Sequence, residues 1–399
     1  MRILYLAHRV PYPPNKGDKI RSFHEIRSFS RRHEIHLIAF FDDPRDAVQA
    51  SALHEYCRTV TLVPLHRWPQ RIRAGFSMLA GKPWTQGYFR NPRIPRVIAD
   101  KLATHAFDLV FAYSSSMAPY AARIGHLPKV LDFVDSDASK WRQYAMFKPA
   151  PARWLYGFES RRLAAFEYEM LRCFQGSIFV SQRETGHLPL QDLSSKVHYI
   201  QNGIDLDYFT PPQAARSGAS VVFTGAMDYF PNIDAVCYFA REILPRIRRR
   251  RQDASFVIVG SNPAPAVRGL AALPGVTVTG AVEDVRPYLA AARVAVVPVR
   301  ISQGIQNKIL EALASGLPVV ARSESAAGVA HAQDLPMAVA DDADAFAHHV
   351  LDFLEKPLTE RQIGLCRERL AKHYGWDVNF SAFETVFDRV SDSFSRTAT

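Results

Sequence analysis

The stretch at residues 298–321, PVRISQGIQNKILEALASGLPVVA, constrains this chain more than any other. An apolar strand at 294–297 runs into a loop with Gly304 at its turn. A helix from about 307 to 315 follows, Gly316 ends it, and another strand begins at Leu317. Strand, loop, helix and strand in this order make the repeating unit of a parallel sheet, in which a crossover helix returns the chain to the same sheet. The loop and helix start lie at the carboxyl end of the strand, where unpaired backbone amides favour an anion. On the helix, Ile309, Leu310 and Leu313 share a face suited to burial, while Asn307, Lys308 and Glu311 share the other side. Glu311 has no packing reason to be there. A carboxylate facing a ligand crevice can accept two hydroxyls of a ribose.

The rest of the chain repeats the rhythm. Strands are expected at 2–7, 34–40, 59–65, 107–112, 129–134, 177–181 and 196–200, with helices between most of them. After the Gly turn and Pro pair of NGIDLDYFTPP (202–212), strands at 220–225, 255–260, 276–280 and 294–298 alternate with helices at 233–250, 264–273 and 284–291. Helices at 342–354, 359–374 and 376–393 complete the chain. The fold class is therefore α/β: two Rossmann-like, doubly wound parallel-sheet domains facing a cleft. The expected domains are 1–208 and 209–376. The helix from 377 to 399 is expected to cross back to the first domain.

Charge divides the chain unevenly. Residues 1–210 hold 29 Lys and Arg against 19 Asp and Glu, whereas residues 211–399 hold 20 of each. Four of the five Trp (68, 84, 141 and 154) also lie in the first half. Residues 66–96, HRWPQRIRAGFSMLAGKPWTQGYFRNPRIP, interleave Arg and Lys with aromatic and aliphatic side chains, and a long helix at 151–174 extends the basic character. That pattern suits an interfacial membrane segment or a single-stranded nucleic-acid groove, and equally a pair of amphipathic helices with solvated arginines. The neutral second half carries the sharpest motif, which disfavours a nucleic-acid role. Cysteines 57, 173, 237 and 366 lack metal-ligand spacing and are expected to be reduced core thiols. No apolar run approaches the ~20 residues of a membrane-spanning helix, and Met1 to Ala7 leads directly into a strand rather than a signal peptide. The expected location is cytoplasmic, with peripheral contact on the inner face of an anionic membrane.

Ahead of the second expected strand, the loop at 8–16 ends at Gly17, and Asp18 is placed to cap the following helix. No GxGxxG is present, so the usual dinucleotide fingerprint is missing. His8, at the end of the first strand, is the best placed of the histidines for function. Asp135-Ser136-Asp137 is formally a DxD. Two carboxylates are weak grounds for a metal site, and Asp137 reads as a helix cap.

With these residues laid out, the second half resembles retaining GT-B glycosyltransferases of family 4. The matching stretches are NGID (202–205), FTGAMDYFPN (223–232), FVIVG (256–260), VTVTGAVEDVRPYLAAARVAVVPV (276–299), GIQNKILEALASGLPVV (304–320) and YGWD (374–377). LDFVDSDASKW (131–141) extends the likeness more weakly into the first half. Within the family, the chain resembles the sugar transferases associated with exosortase/PEP-CTERM exopolysaccharide systems. The resemblance implies transfer of a hexosyl group, with retention, from a UDP- or GDP-sugar to a glycan or lipid-linked acceptor, with no metal or other cofactor. It places Glu311 on the ribose and Gly304, Ile305, Gln306 and Asn307 along the diphosphate, with Gly225 and Asn232 completing the donor site. The family's first glutamate, eight positions before Glu311, is here Gln303, an amide that can bond sugar hydroxyls but supplies no negative charge. A basic pair common after the first strand of the second domain is also missing, and Lys308 is the expected substitute beside the diphosphate. Gly17, Lys16 and Asp18 match the acceptor-side Gly loop, near His8. Asp135 lies where the family brings polar groups to the reaction centre, unless it bonds that loop instead. A sugar-nucleotide epimerase on the same fold and a non-catalytic binding homologue are the alternatives.

Overall fold

A computed structural model describes residues 1–399 apart from 15–16, 148, 215, 302–305, 330 and 399. The chain forms two compact units, Met1–Asn202 with Trp376–Thr399, and Gly203–Gly375.

The first unit is built on a seven-stranded sheet of β1 (Arg2–Ala7), β2 (Glu34–Phe41), β3 (Thr59–Pro64), β4 (Leu109–Tyr113), β5 (Lys129–Val134), β6 (Gly176–Phe179) and β7 (Val197–Tyr199). All pairings are parallel and the order is β3-β2-β1-β4-β5-β6-β7. The inner strands are apolar throughout because both of their faces are covered; Ile3 to Ala7 and Leu109 to Ala112 are fully buried. The helix Trp376–Ala398 belongs to this unit. Its Phe383, Val386, Phe387 and Val390 join the core formed with Ile3, Tyr5, Phe29 and Phe111. Trp376 stacks on His24 at 4.6 Å between ring centroids.

The second unit has a six-stranded sheet of β8 (Ser220–Thr224), β9 (Ser255–Val259), β10 (Val276–Gly280), β11 (Val294–Val297), β12 (Val319–Ala321) and β13 (Met337–Val339). It too is parallel throughout, in the order β10-β9-β8-β11-β12-β13. Each sheet reverses its winding direction once, between β1 and β4 in the first unit and between β8 and β11 in the second. In open parallel sheets ligands bind outside the carboxyl ends of the strands at such a point.

Local differences from the sequence expectations have physical causes. The helix expected over 233–250 is Phe230–Tyr238, a π turn at Phe239–Ile243, then Leu244–Arg250. Pro245 has no N–H to donate to the preceding turn, and the wider π turn accommodates that loss. The segment expected at 264–273 divides into Pro265–Arg268 and a 3₁₀ turn at Gly269–Ala272. β13 has only three residues, too few for a periodic signal. Cys57 and Cys366 are buried and Cys237 half-buried, but Cys173 is exposed at the end of its helix and is not a core thiol. No helix among the described residues is long and apolar enough to cross a membrane.

Candidate functional site

In the second unit, the helix Asn307–Ala314 starts just beyond the carboxyl end of β11. Its amphipathic sequence fixes its rotation: Ile309, Leu310 and Leu313 are fully buried, leaving Lys308 and Glu311 half-buried on another side. Lys308 Nζ donates to Asn232 Oδ1 at 2.7 Å and lies 4.3 Å from the ring centroid of Phe223. Asn232 is held in that orientation because its own amide N–H donates to Ala226 O at 2.9 Å. Gly225 borders the same spot. A Cβ there would lie 2.7 Å from Asn232 Nδ2 and 3.3 Å from Lys308 Nζ. Gly260, at the end of β9, lets the backbones meet, since a Cβ on it would come within 1.7 Å of Gly225 O. The two glycines keep this edge of β8 open, and Lys308 and Asn232 occupy it.

This cation is weakly compensated. Burial lowers Lys308 to about 7, with the Glu311 carboxylate acting against that shift. Burial likewise raises Glu311 to about 7, opposed by Lys308. Among the described residues, this charge is costly to bury and meets the Asn232 amide and the Phe223 ring, with Glu311 as its counter-charge, which makes it a ready partner for an anion. Arg300, also beyond β11, is differently placed, being held by Asp234 in a bidentate ion pair with Nε–Oδ2 at 2.8 Å. Burial and then the Asp284 carboxylate raise the Tyr208 phenol, with Glu311 adding least; its hydroxyl lies 3.5 Å from Asp284 Oδ1 and its ring carries the Arg286 guanidinium at 4.1 Å. Asn307 is half-buried at the helix start, and Gln306 directly precedes it. Gln303, Gly304 and Ile305 lie outside the described residues.

In the first unit, the acceptor-side candidates gather at the carboxyl ends of β1, β4 and β5. Gly17 opens the helix Gly17–Phe29, one residue before Asp18; Lys16 lies outside the described residues. The Asp18 carboxylate accepts Arg9 Nη1 at 2.8 Å and stands 3.5 Å from His8 Nε2. His8 packs between the rings of Tyr113 and Phe89, each 5.8 Å away, and among the described residues nothing partners its buried Nδ1. It lines a small recess with Arg9, Phe40, Asp42, Tyr88 and Phe89.

Asp135 follows Val134, whose φ of 66° is a strained, left-handed conformation for a β-branched residue. That turn of the backbone lifts Asp135 out of the strand. Burial raises Asp135 to about 6, with Lys140 and Arg21 pulling the other way. Asp137 is not the cap of its helix. Ser136 is, accepting Ser139 N at 3.1 Å, while Asp137 accepts Ser115 Oγ at 2.6 Å. The DxD pair is thereby split between two surroundings, and among the described residues no group of three or more His, Cys, Asp or Glu could hold a metal.

Sequence reasoning did not single out Phe223, Gly260, Tyr208 or Arg286. Gly260 closes FVIVG as Gly225 closes VVFTG, and that parallel was a usable signal. The other three carry no local mark.

With this geometry in place, comparison with known proteins adds the following. Residues 218–356 match the family described as Glycosyl transferases group 1. Among curated proteins none matches the chain in sequence. Solved structures resemble it over nearly the whole length. A TarM variant of S. aureus, in complex with fondaparinux, alpha-GlcNAc-glycerol and UDP, has a TM-score of 0.68 at 9% identity, covering 97% of this chain and 99% of its own. HepE of Anabaena, in complex with UDP, has a TM-score of 0.64 at 12% identity, covering 99% and 100%. The α,α-trehalose 6-phosphate synthase of Burkholderia multivorans has 0.65 at 13%, covering 98% and 99%. The fold is GT-B. Together with the family match over the second unit, it supports a GT-B glycosyltransferase.

Proposed function

We propose that the protein transfers a hexosyl group, with retention of configuration, from a nucleotide diphosphate sugar to a sugar or lipid-linked acceptor in the synthesis of a cell-surface glycan. The observation that carries this reading is Lys308. It is a half-buried cation at the switch point between β8 and β11, held by Asn232 and lowered to about 7 by burial. A leaving diphosphate brings negative charge there, and the preorganised ammonium and the amides of the helix start stabilise it as the sugar–phosphate bond breaks. Glu311, one turn further on, is assigned to the ribose hydroxyls, and Asn307, Gln306, Gly225 and Asn232 to the edges of the donor. Gly304, Ile305 and Gln303 complete the assignment from the family resemblance alone.

On the acceptor side, Asp135, His8, Asp18 and Gly17, with Lys16 from the resemblance, are assigned to binding and orienting the acceptor. In a front-face retaining reaction the departing phosphate oxygen takes the proton of the attacking hydroxyl, so no side chain has to act as the base. The reaction needs no metal under this reading, because Lys308 and the backbone amides supply the positive charge. HepE and TarM in complex with UDP favour a uridine donor as the first to try.

The test is incubation with UDP- and GDP-sugars in the presence of glycan and lipid-linked acceptors, with release of nucleotide diphosphate measured. Release with one sugar of either series, lost in Lys308→Met, supports the reading. A new donor sugar without nucleotide release identifies an epimerase instead, and binding without either product identifies a non-catalytic homologue.

A further inference from the structure

The first unit carries a surface that the donor and acceptor sites do not use. On the helix Arg67–Leu79, the side chains of Trp68, Ile72, Phe76 and Leu79 recur at helical spacing along one stripe, and all are exposed, Trp68 and Leu79 by 76% and 80%. An amphipathic helix ordinarily turns such a stripe inward. Here it is turned out. On the helix Ala152–Cys173, Trp154 and Phe158 are exposed too. The two helices are joined: Arg162 Nη1 donates to Met78 O at 2.9 Å and to Lys82 O at 3.2 Å. Glu159 accepts from Trp84 N and Thr85 N, both at 3.1 Å, at the start of the helix Trp84–Phe89. Trp84, Trp141 and Tyr156 close the same assembly edge to face. The exposed side chains therefore stand on a braced platform rather than on loose ends.

Its charge is one-sided. Residues 56–99 contain eight Lys and Arg and no Asp or Glu, and residues 138–158 contain four and none. The next carboxylate in the chain, Glu159, is buried and accepts from backbone amides. Arginines border the apolar groups: Arg71 lies 5.7 Å from the Trp68 ring, and Arg162 lies 3.8 Å from that of Phe158. A second copy of the chain would bring like charge against like charge, and an uncharged apolar partner would leave the arginines unpaired.

We propose that this face docks on an anionic lipid bilayer. Trp68, Ile72, Phe76, Leu79 and Trp154 enter the boundary between headgroups and acyl chains, while the bordering arginines extend their heads to the phosphates. The docking does not depend on the reaction assigned to the second unit.

The experiment uses the full-length protein, co-sedimented with vesicles of phosphatidylcholine and phosphatidylglycerol or of phosphatidylcholine alone, at low and high salt. Binding is expected to the mixed vesicles, weakening as salt rises, with a blue shift in tryptophan emission. The double change Phe76→Ser and Leu79→Ser is expected to lower the partition roughly a hundredfold, about a decade for each apolar side chain kept in water. Both sites are exposed, so an unchanged thermal midpoint verifies the fold. Leu365→Ser, at an exposed position in the second unit, is expected to leave the partition as it was. Absence of binding, equal binding to neutral vesicles or an unaltered partition in the double variant would overturn the proposal. So would a solution dimer or polyuridylate binding that the double variant abolishes while vesicles never bind.

Discussion

Each unit buries a cation beside its sheet, and the two are treated in opposite ways. Arg21, in the first unit, is completely enclosed. Its Nε meets Asp132 Oδ2 at 2.8 Å and Glu25 Oε1 at 2.9 Å, and its Nη1 donates to Ile200 O and Asn202 Oδ1. Burial alone would lower Arg21, but Asp132 and Glu25 outweigh it and the group stays firmly charged. Glu25 in turn is raised well above the carboxylate range by burial and by Asp132, and accepts Tyr5 OH at 2.6 Å. Among the described residues, Lys308 meets the Asn232 amide and the Phe223 ring, and burial outweighs the pull of Glu311, so that it falls to about 7. A buried charge surrounded by its own counter-charges ties elements together. A buried charge left short of them is available to a ligand.

The contrast can be broken most severely at Arg21. Arg21→Met strands the Asp132 carboxylate and leaves the buried Glu25 without its partner, and is expected to cost about 3–5 kcal/mol of stability, read from the urea midpoint. If the loss is small, the network is not what fixes this unit. Lys308→Met is expected to slow nucleotide diphosphate release by roughly 10²–10³-fold, the range for removing one preorganised charge-stabilising donor, without lowering the thermal midpoint at pH 7. A collapse in stability with turnover per folded molecule intact would put Lys308 in the same class as Arg21. Glu311→Gln is expected to weaken nucleotide affinity by roughly tenfold to a hundredfold, as for loss of a charged hydrogen-bond partner, measurable by calorimetry.

The smallest effect is the pH dependence of stability. Lys308 titrates near 7 when folded against an ordinary value of 10.5. Between those values the unfolded chain holds the extra proton, so the contribution of Lys308 to stability rises with pH. Glu311 is raised from 4.5 to about 7, and across that window the folded state holds the extra proton, so its contribution falls as pH rises. Together they make neutral pH the least favourable condition for the unliganded site. The margin by which Lys308→Met is more stable than the parent protein should therefore be full at pH 7 and close as pH rises toward 10.5. A margin constant over that range would mean that the ammonium is not burdened by burial.

Much of this was legible in the sequence because parallel strands covered on both faces are unbroken apolar runs, and the helix at 307–314 has an unambiguous buried stripe. The placement of Lys308 and Glu311 away from Ile309, Leu310 and Leu313 followed from that stripe. What stayed hidden depends on contacts between residues far apart in the chain. Nothing near Phe223 announces that Lys308, 85 positions later, will lie against its ring. Nothing in VDSDAS distinguishes Ser136 from Asp137 as the cap, since both types favour that position; Ser115 decides it by engaging Asp137. The π turn at Phe239–Ile243 was foreshadowed only by Pro245. The outward-facing stripe of the helix Arg67–Leu79 was visible as a pattern, but a pattern does not say which way it points.

The helix Trp376–Ala398 has a consequence for how the protein is made. Phe29 and Phe111 pack against its Phe383 and Phe387 at ring separations of 5.1 to 6.1 Å. All seven strands of that sheet have been translated once Tyr199 is added. At roughly 5–20 residues per second, the missing helix follows only after roughly 10–40 s. For that interval the ribosome carries an unfinished first unit with an apolar groove open to solvent, while the whole second unit is being synthesised. Chaperone demand during translation, rather than the stability of the finished molecule, is where substitutions in this last helix should be felt first.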